Sequence, residues 1–172
     1  MVTFDVLAAL VAGLAGTVAM TLMMQASSAM GMTKMPSMPL IQGTMVTGDE
    51  AKAKRIGVIT HVIMMGTIVF GLAYAALFVA FDDAGVLTGV LIGLGHGIVA
   101  GIAMVMMGVM HPRMDPPPVT GNGEVVTTTS GEVRLIEPGL FAKNYGAMTP
   151  LGLIIGHVIY GLVVALVYGL LA

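Results

Sequence analysis

Four apolar stretches, at about 6–27, 56–81, 86–110 and 150–171, contain no Asp, Glu, Lys or Arg. Each reaches the roughly 20 residues that carry a helix across a bilayer core. Lipid offers nothing to an unpaired backbone amide, so runs of this kind are expected as helices rather than open strands. Only 9% of the chain is charged and 57% is apolar, against about 25% charged in a soluble domain. The expected fold is therefore all-α, a single integral membrane four-helix bundle over residues 1–172. The first stretch lacks the basic flank of a signal peptide, although Ser27-Ser28-Ala29 resembles a cleavage site, and it is expected as a retained span.

The basic residues set an orientation. Lys34, Lys52, Lys54 and Arg55 lie between the first two stretches, and Arg113, Arg134 and Lys143 between the last two. The opposite face has Asp5 and Asp82-Asp83 but no Lys or Arg. The positive-inside rule then predicts cytoplasmic long loops and both termini outside. The net charge of −2 and the absence of a basic patch give no footing for nucleic acid. Without cysteine there is no disulfide, thiolate metal site or cysteine nucleophile.

The order of features repeats. Gly13, Ala19, Met20 and Met23 align with Gly97, Ala103, Met104 and Met107, and Met35-Pro36 answers His111-Pro112. Thr60-His61-Val62-Ile63 is echoed by Gly156-His157-Val158-Ile159, with Tyr74 and Tyr168 further on. The expectation is two parallel helical-hairpin repeats, about 1–83 and 84–172, related by a pseudo-twofold axis along the membrane normal. Convergence of low-complexity membrane sequence is the alternative. If the repeat holds, His61 and His157 are symmetry mates about two turns inside their helices, with His111 near the same level. His96, fifteen residues before His111, is expected about 20 Å away.

Gly85, Gly89, Gly93, Gly97 and Gly101 recur every fourth residue. Helices in lipid associate by close packing, and small faces let backbones touch. This stripe makes the third span the expected centre of the bundle, with Ala9, Ala12, Gly13, Gly16 and Ala19 of the first, and Gly152 and Gly156 of the fourth, as complementary surfaces.

An ionisable side chain inside a span is a functional candidate by default, which directs attention to the histidines. Most of the 17 methionines fall in the half that holds His61, His111 and His157, among them Met64, Met65, Met107 and Met110. Imidazole and thioether together suit Cu(I), and Met64 and Met65 follow His61 at helical spacing. Methionine is equally a flexible filler of irregular gaps. Two histidines on separate spans can also clamp the iron of a b-type haem. His61 and His157 are the natural pair for this, His96 and His111 the substitutes, and Arg55, Lys54 or Arg113 could meet its propionates. Histidines satisfied by a carbonyl, Thr60 or Tyr160 are the structural alternative. A quinone held by His and Tyr160 is a further, fainter reading.

No acidic or basic residue lies within a span, so a proton-coupled transporter or ion pathway lacks its usual parts. Nucleotide-loop, zinc-hydrolase and serine-elbow motifs are absent from the sequence. In the long second loop, Pro116-Pro117-Pro118 gives a stiff start and Gly121-Asn122-Gly123 a turn. Val125–Thr129 and Val133–Ile136 flank Ser130-Gly131 as in a small β-hairpin.

Gly16-Thr-Val-Ala-Met20-Thr, Met110-His111-Pro112 and Gly156-His157-Val-Ile-Tyr160-Gly161 with Tyr168-Gly169 resemble a family of small uncharacterised bacterial four-span membrane proteins, a domain of unknown function. The resemblance implies a four-helix fold in a bacterial inner membrane and no catalytic residue. Three functions follow as expectations. The first is a non-catalytic accessory subunit of a larger membrane complex of respiratory or metal-dependent oxidase type, partnered by other subunits or by its own copies in the lipid bilayer. The second is copper or haem b binding through His61, His157, His111 and the nearby methionines. The third is transport of a small neutral solute between two repeats.

Overall fold

The structure is a computed structural model that describes residues 1–117, 126–127 and 131–172. Helix α1 (Val6–Ala29) opens where the Asp5 carboxylate accepts the Ala8 N–H at 2.8 Å, satisfying one of the donors a helix start leaves open. After it, Ser37 and Pro39 start the short α2 (Met38–Thr44), and Asp49 caps α3 (Glu50–Val58). Helix α3 runs without interruption through a π-helical segment, Ile59–Val69, into α4 (Phe70–Phe81). Thr67 marks the wider winding by donating its hydroxyl to the Val62 carbonyl five residues back, at 2.8 Å. Asp82, in the left-handed region at φ 51°, ends this second span and turns the chain into α5 (Val86–Met110). Helix α6 (Thr149–Leu171) completes the set. Val6–Ala29, Glu50–Phe81, Val86–Met110 and Thr149–Leu171 are each long and apolar enough to cross a membrane, so this is a multi-pass helical membrane protein.

The centre is α6 rather than α5, which corrects the expectation drawn from the glycine stripe. Of the four spans α6 is the most buried, at 44%, and α5 the least, at 22%. The reason is the placement of small residues. Gly89, Gly93, Gly97 and Gly101 all lie on one face of α5, so α5 makes one close contact: a Cβ at Gly93 would stand 2.5 Å from the His157 carbonyl, and one at Gly97 would stand 3.1 Å from the His157 Cβ. Gly101 lies under the Phe141 ring, while Gly85 is an exposed N-cap and packs on no helix. Helix α6 answers with Gly161 and Ala165 on that side. On its other side Gly156 meets Met20 and Met23, and Tyr160 and Val164 cover Gly16 of α1. The second span packs on the remaining face of α1, where a Cβ at Gly13 would come within 2.8 Å of the Gly66 carbonyl and of Gly71 Cα. The spans thus follow one another around the bundle as second, α1, α6 and α5.

The two hairpins do not share a packing register. Gly13 lies against Gly66, Thr67 and Gly71, well past His61, whereas Gly97, its expected counterpart, lies against Ile154 and His157 itself. A twofold axis would also repeat the broad α1–α6 interface between α5 and the second span, and those two helices meet only sparsely.

On the basic-loop side the connections form a packed layer. Strand β3 (Val133–Ile136) pairs in parallel with β1 (Met114–Asp115) and antiparallel with β2 (Val126–Thr127), with Val126 opposite Arg134. The β2–β3 pair is part of the expected hairpin. Pro118, Gly121-Asn122-Gly123, Val125 and Thr128–Ser130 lie outside the described residues. Leu40, Ile41, Ala53, Leu135 and Tyr145 form the core of this layer. Arg134 grips Asp115 through two bonds of 2.6 and 2.7 Å. A short 3₁₀ helix (Leu140–Tyr145), with Phe141 and Ala142 at φ 53° and 58°, lies along α5 and leads into α6.

Candidate functional site

The two glycine contacts at Gly93 and Gly97 bring α5 so near α6 that the imidazoles of His96 and His157 meet edge to face, with centroids 4.5 Å apart. His157 is 8% exposed, and its Nδ1–H donates to the Leu153 carbonyl one turn back at 2.8 Å. His96 is half-buried and reaches toward the second span. Its Nδ1 lies 3.2 Å from the Tyr74 hydroxyl, and its ring centroid lies 4.0 Å from that of Phe70. Tyr160 stands edge-on to Tyr74 at 5.1 Å and donates its hydroxyl to the Gly66 carbonyl at 2.8 Å. His61 lies in the π-helical segment. Its Nδ1 faces the Gln42 amide nitrogen at 3.4 Å; that nitrogen can only donate, so His61 accepts there. Gln42 Oε1 is buried without a partner among the described residues.

This arrangement exchanges one expected member for another histidine. His96, expected far from the group, touches His157; His111, expected within it, does not belong to it. The expectation placed the ends of α5 and α6 at one level. In the fold Gly101 faces Phe141 and Gly108 faces Glu137, both upstream of α6, so α5 overruns the start of α6 by about two turns. His157 is thereby level with Gly93–Gly97. His111 lies about 22 Å further along α5 than His96, at the junction of the two loops. There its Nε2–H donates to the Ile41 carbonyl at 2.9 Å, with Thr44 Oγ1 at 3.2 Å, and its Nδ1 accepts the Arg113 N–H at 3.1 Å. Burial holds the His111 pKa below its ordinary value. The Ile41 bond acts against this, while Arg113 and Arg134 add to it.

The expected sulfur ligands are scattered. Met64 and Met110 are 53% and 63% exposed on the outside of the bundle. Met65 is half-buried, and Met107 packs against the loop layer. Among the described residues no three His, Asp or Glu side chains are placed to share a metal ion.

A cavity of about 720 Å³ lies where the second span and α5 part, within the roughly 300–1,000 Å³ usual for small-molecule sites. Tyr74, His96 and Val99 line one end of this groove, and Asp83 and Thr88 line the other, at the turn joining the two helices. Asp83 is held there by the Gly85 N–H at 2.7 Å and by the Thr88 hydroxyl, and those bonds lower its carboxyl pKa. Between the ends the walls are apolar, and Gly95 opens onto free space.

Sequence reasoning missed Tyr74 as a partner of His96, the role of Gln42 and the π-helical winding around His61. The first had a signal: His96 flanks the glycine stripe three residues after Gly93, so it must border whatever the stripe meets. The other two depend on contacts between distant segments. No protein-family model, no curated protein and no solved structure matches the chain.

Proposed function

We propose that the protein is a non-catalytic subunit of a larger bacterial membrane complex, and that its own contribution is a lateral binding groove for a membrane-borne amphiphile. The binding part of this reading rests on the groove between the second span and α5, which is apolar along its walls and has His96 and Tyr74 at its inner end. The subunit part rests on the small chain, its close-packing glycine faces and the lack of charged groups within its spans. With the basic loops in the cytoplasm and both termini outside, the groove serves the outer leaflet of the inner membrane. The partners on this reading are the bilayer, other membrane subunits and further copies of the chain. The resemblance to four-span bacterial proteins brings no activity with it, and duplication of a helical hairpin remains a proposal about ancestry resting on the order of sequence features.

The geometry gives less support to the other readings. The rings of His96 and His157 are in contact, leaving no width for a porphyrin between them. The Tyr160–Gly66 bond ties the helices of His61 and His157 together, and the methionines offered to copper are dispersed. A central solute path would run where Tyr74, Phe78, Tyr160 and Tyr168 are buried.

Purification in mild detergent followed by native mass spectrometry tests both halves. The expected particle carries co-purifying membrane subunits and one amphiphile per chain, and that amphiphile is lost in Gly95→Trp, which fills the groove. A free chain without other subunits overturns the subunit reading, and an amphiphile retained in Gly95→Trp overturns the groove.

A further inference from the structure

His96 presents a polar atom that the protein leaves unused. Its Nδ1 is engaged with Tyr74. Donation by the tyrosine hydroxyl to Nδ1 leaves one polar group unmet among the described residues, the Nε2–H, whereas the reverse direction leaves two, the hydroxyl proton and the Nε2 lone pair, so the first arrangement is favoured. That Nε2–H has no partner among the described residues and is not sealed in the protein, and His96 is a wall of the groove. It lies about ten residues, or about 15 Å, into α5, near the middle of a hydrocarbon core about 30 Å thick. Water is scarce at that depth, and an unmade hydrogen bond there is costly. The site therefore calls for an acceptor brought in by a ligand.

We infer that the groove binds a lipid-soluble quinone, with the His96 Nε2–H donating to a ring carbonyl while Tyr74 holds the imidazole in the donating tautomer. This rests on the groove reading above and names its occupant. Three features select this chemistry. The inner end offers a single neutral donor and no cation, which excludes a phosphate headgroup. The chain has only five Phe and four Tyr, yet Phe70, Tyr74 and Phe81 line this one groove, and aromatic faces favour a flat ring. The walls beyond, with Leu77, Leu91 and Ile92, are apolar and open sideways, so an isoprenoid tail leaves into lipid.

Calorimetric titration of the full chain in micelles with a decyl-tailed benzoquinone, and separately with decylbenzene, tests the inference, with Gly95→Trp giving the baseline for partition into detergent. The expected result is one saturable site that prefers the quinone by roughly two- to tenfold, the range of one net hydrogen bond. His96→Phe, which keeps a flat ring and loses the donor, abolishes the preference; Tyr74→Phe reduces it and serves as the second variant should His96→Phe fold poorly. Equal binding of the two probes at a site lost in Gly95→Trp overturns the quinone and leaves the groove standing. No saturable binding of either probe overturns both. A preference that survives His96→Phe removes His96 as the donor.

Discussion

Gly161→Ala isolates the contact that fixes the α5–α6 register. The added methyl would fall onto the Gly89 carbonyl oxygen and within 3.0 Å of the Gly93 Cα and N. All three are backbone atoms, so no side chain can rotate away and the helices must part by about 1 Å at this crossing. A gap of that size forfeits a quarter to a half of each van der Waals contact it opens. It also propagates along the stripe, because Gly89 and Gly93 share the interface. Overpacking against backbone places the cost at about 2–3 kcal/mol. Gly152→Ala is the matched control on the same helix: no described residue lies within 4 Å of its Cβ position, and the replacement gains up to about 1 kcal/mol of helix propensity. Unfolding by SDS in mixed micelles, followed by far-UV circular dichroism, should show the two variants moving in opposite directions. Equal stability of Gly161→Ala and the parent, or equal losses in both variants, would refute the argument from backbone contact.

Three further outcomes follow from the loop layer. The folded His111 pKa lies below 6.5, so the unfolded chain binds the extra proton first: the stability tied to neutral His111 is complete above about pH 6.5 and is lost as the pH falls toward the folded value, with a slope of up to about 1.4 kcal/mol per pH unit. His111→Gln, read by the same unfolding assay across pH, should flatten that slope. Tyr145→Phe leaves the buried Ile136 carbonyl without its hydroxyl donor, and a loss of about 1–2 kcal/mol is expected in the midpoint of thermal unfolding. Asp115→Asn should cost less than about 1 kcal/mol despite the two short bonds to Arg134, because both side chains are partly exposed, at 43% and 28%; a larger loss would show that the pair acts as part of a buried network.

The spans were legible in the sequence because their cause is local: twenty apolar residues without a charge have one stable conformation in lipid. Gly89, Gly93, Gly97 and Gly101 were legible as a packing face for the same reason, since a period of four draws a stripe on any helix. What the stripe packs against is a property of two surfaces at once. Gly161 and Ala165 decide it, and nothing in α5 records them. The composition of the candidate site failed on one quantity, the axial offset between α5 and α6. That offset leaves the end of α5 beside the 3₁₀ segment Leu140–Tyr145, whose Phe141 and Ala142 take a left-handed conformation that their residue types do not announce. An offset of about two turns was enough to exchange His111 for His96.

The groove itself is a consequence of where the small residues stand. The second span and α5 are joined by the tight turn at Asp82–Gly85, so they begin as neighbours. Gly66 and Gly71 then draw the second span against Thr17, Gly13 and Ala9 of α1, while Gly89, Gly93 and Gly97 draw α5 against α6. Each pull satisfies a close backbone contact, and the two point away from each other. Facing one another across the gap are Phe70, Leu77, Leu91 and Val99, side chains too large to permit a third glycine-type contact. Gly95, the one small residue of α5 on that side, has no described residue within 4 Å of its Cβ position. Closing the gap would break one of two tight interfaces, so the opening is set by the packing, and at its inner end the Tyr74 hydroxyl and the His96 Nδ1 bridge the parted helices at 3.2 Å.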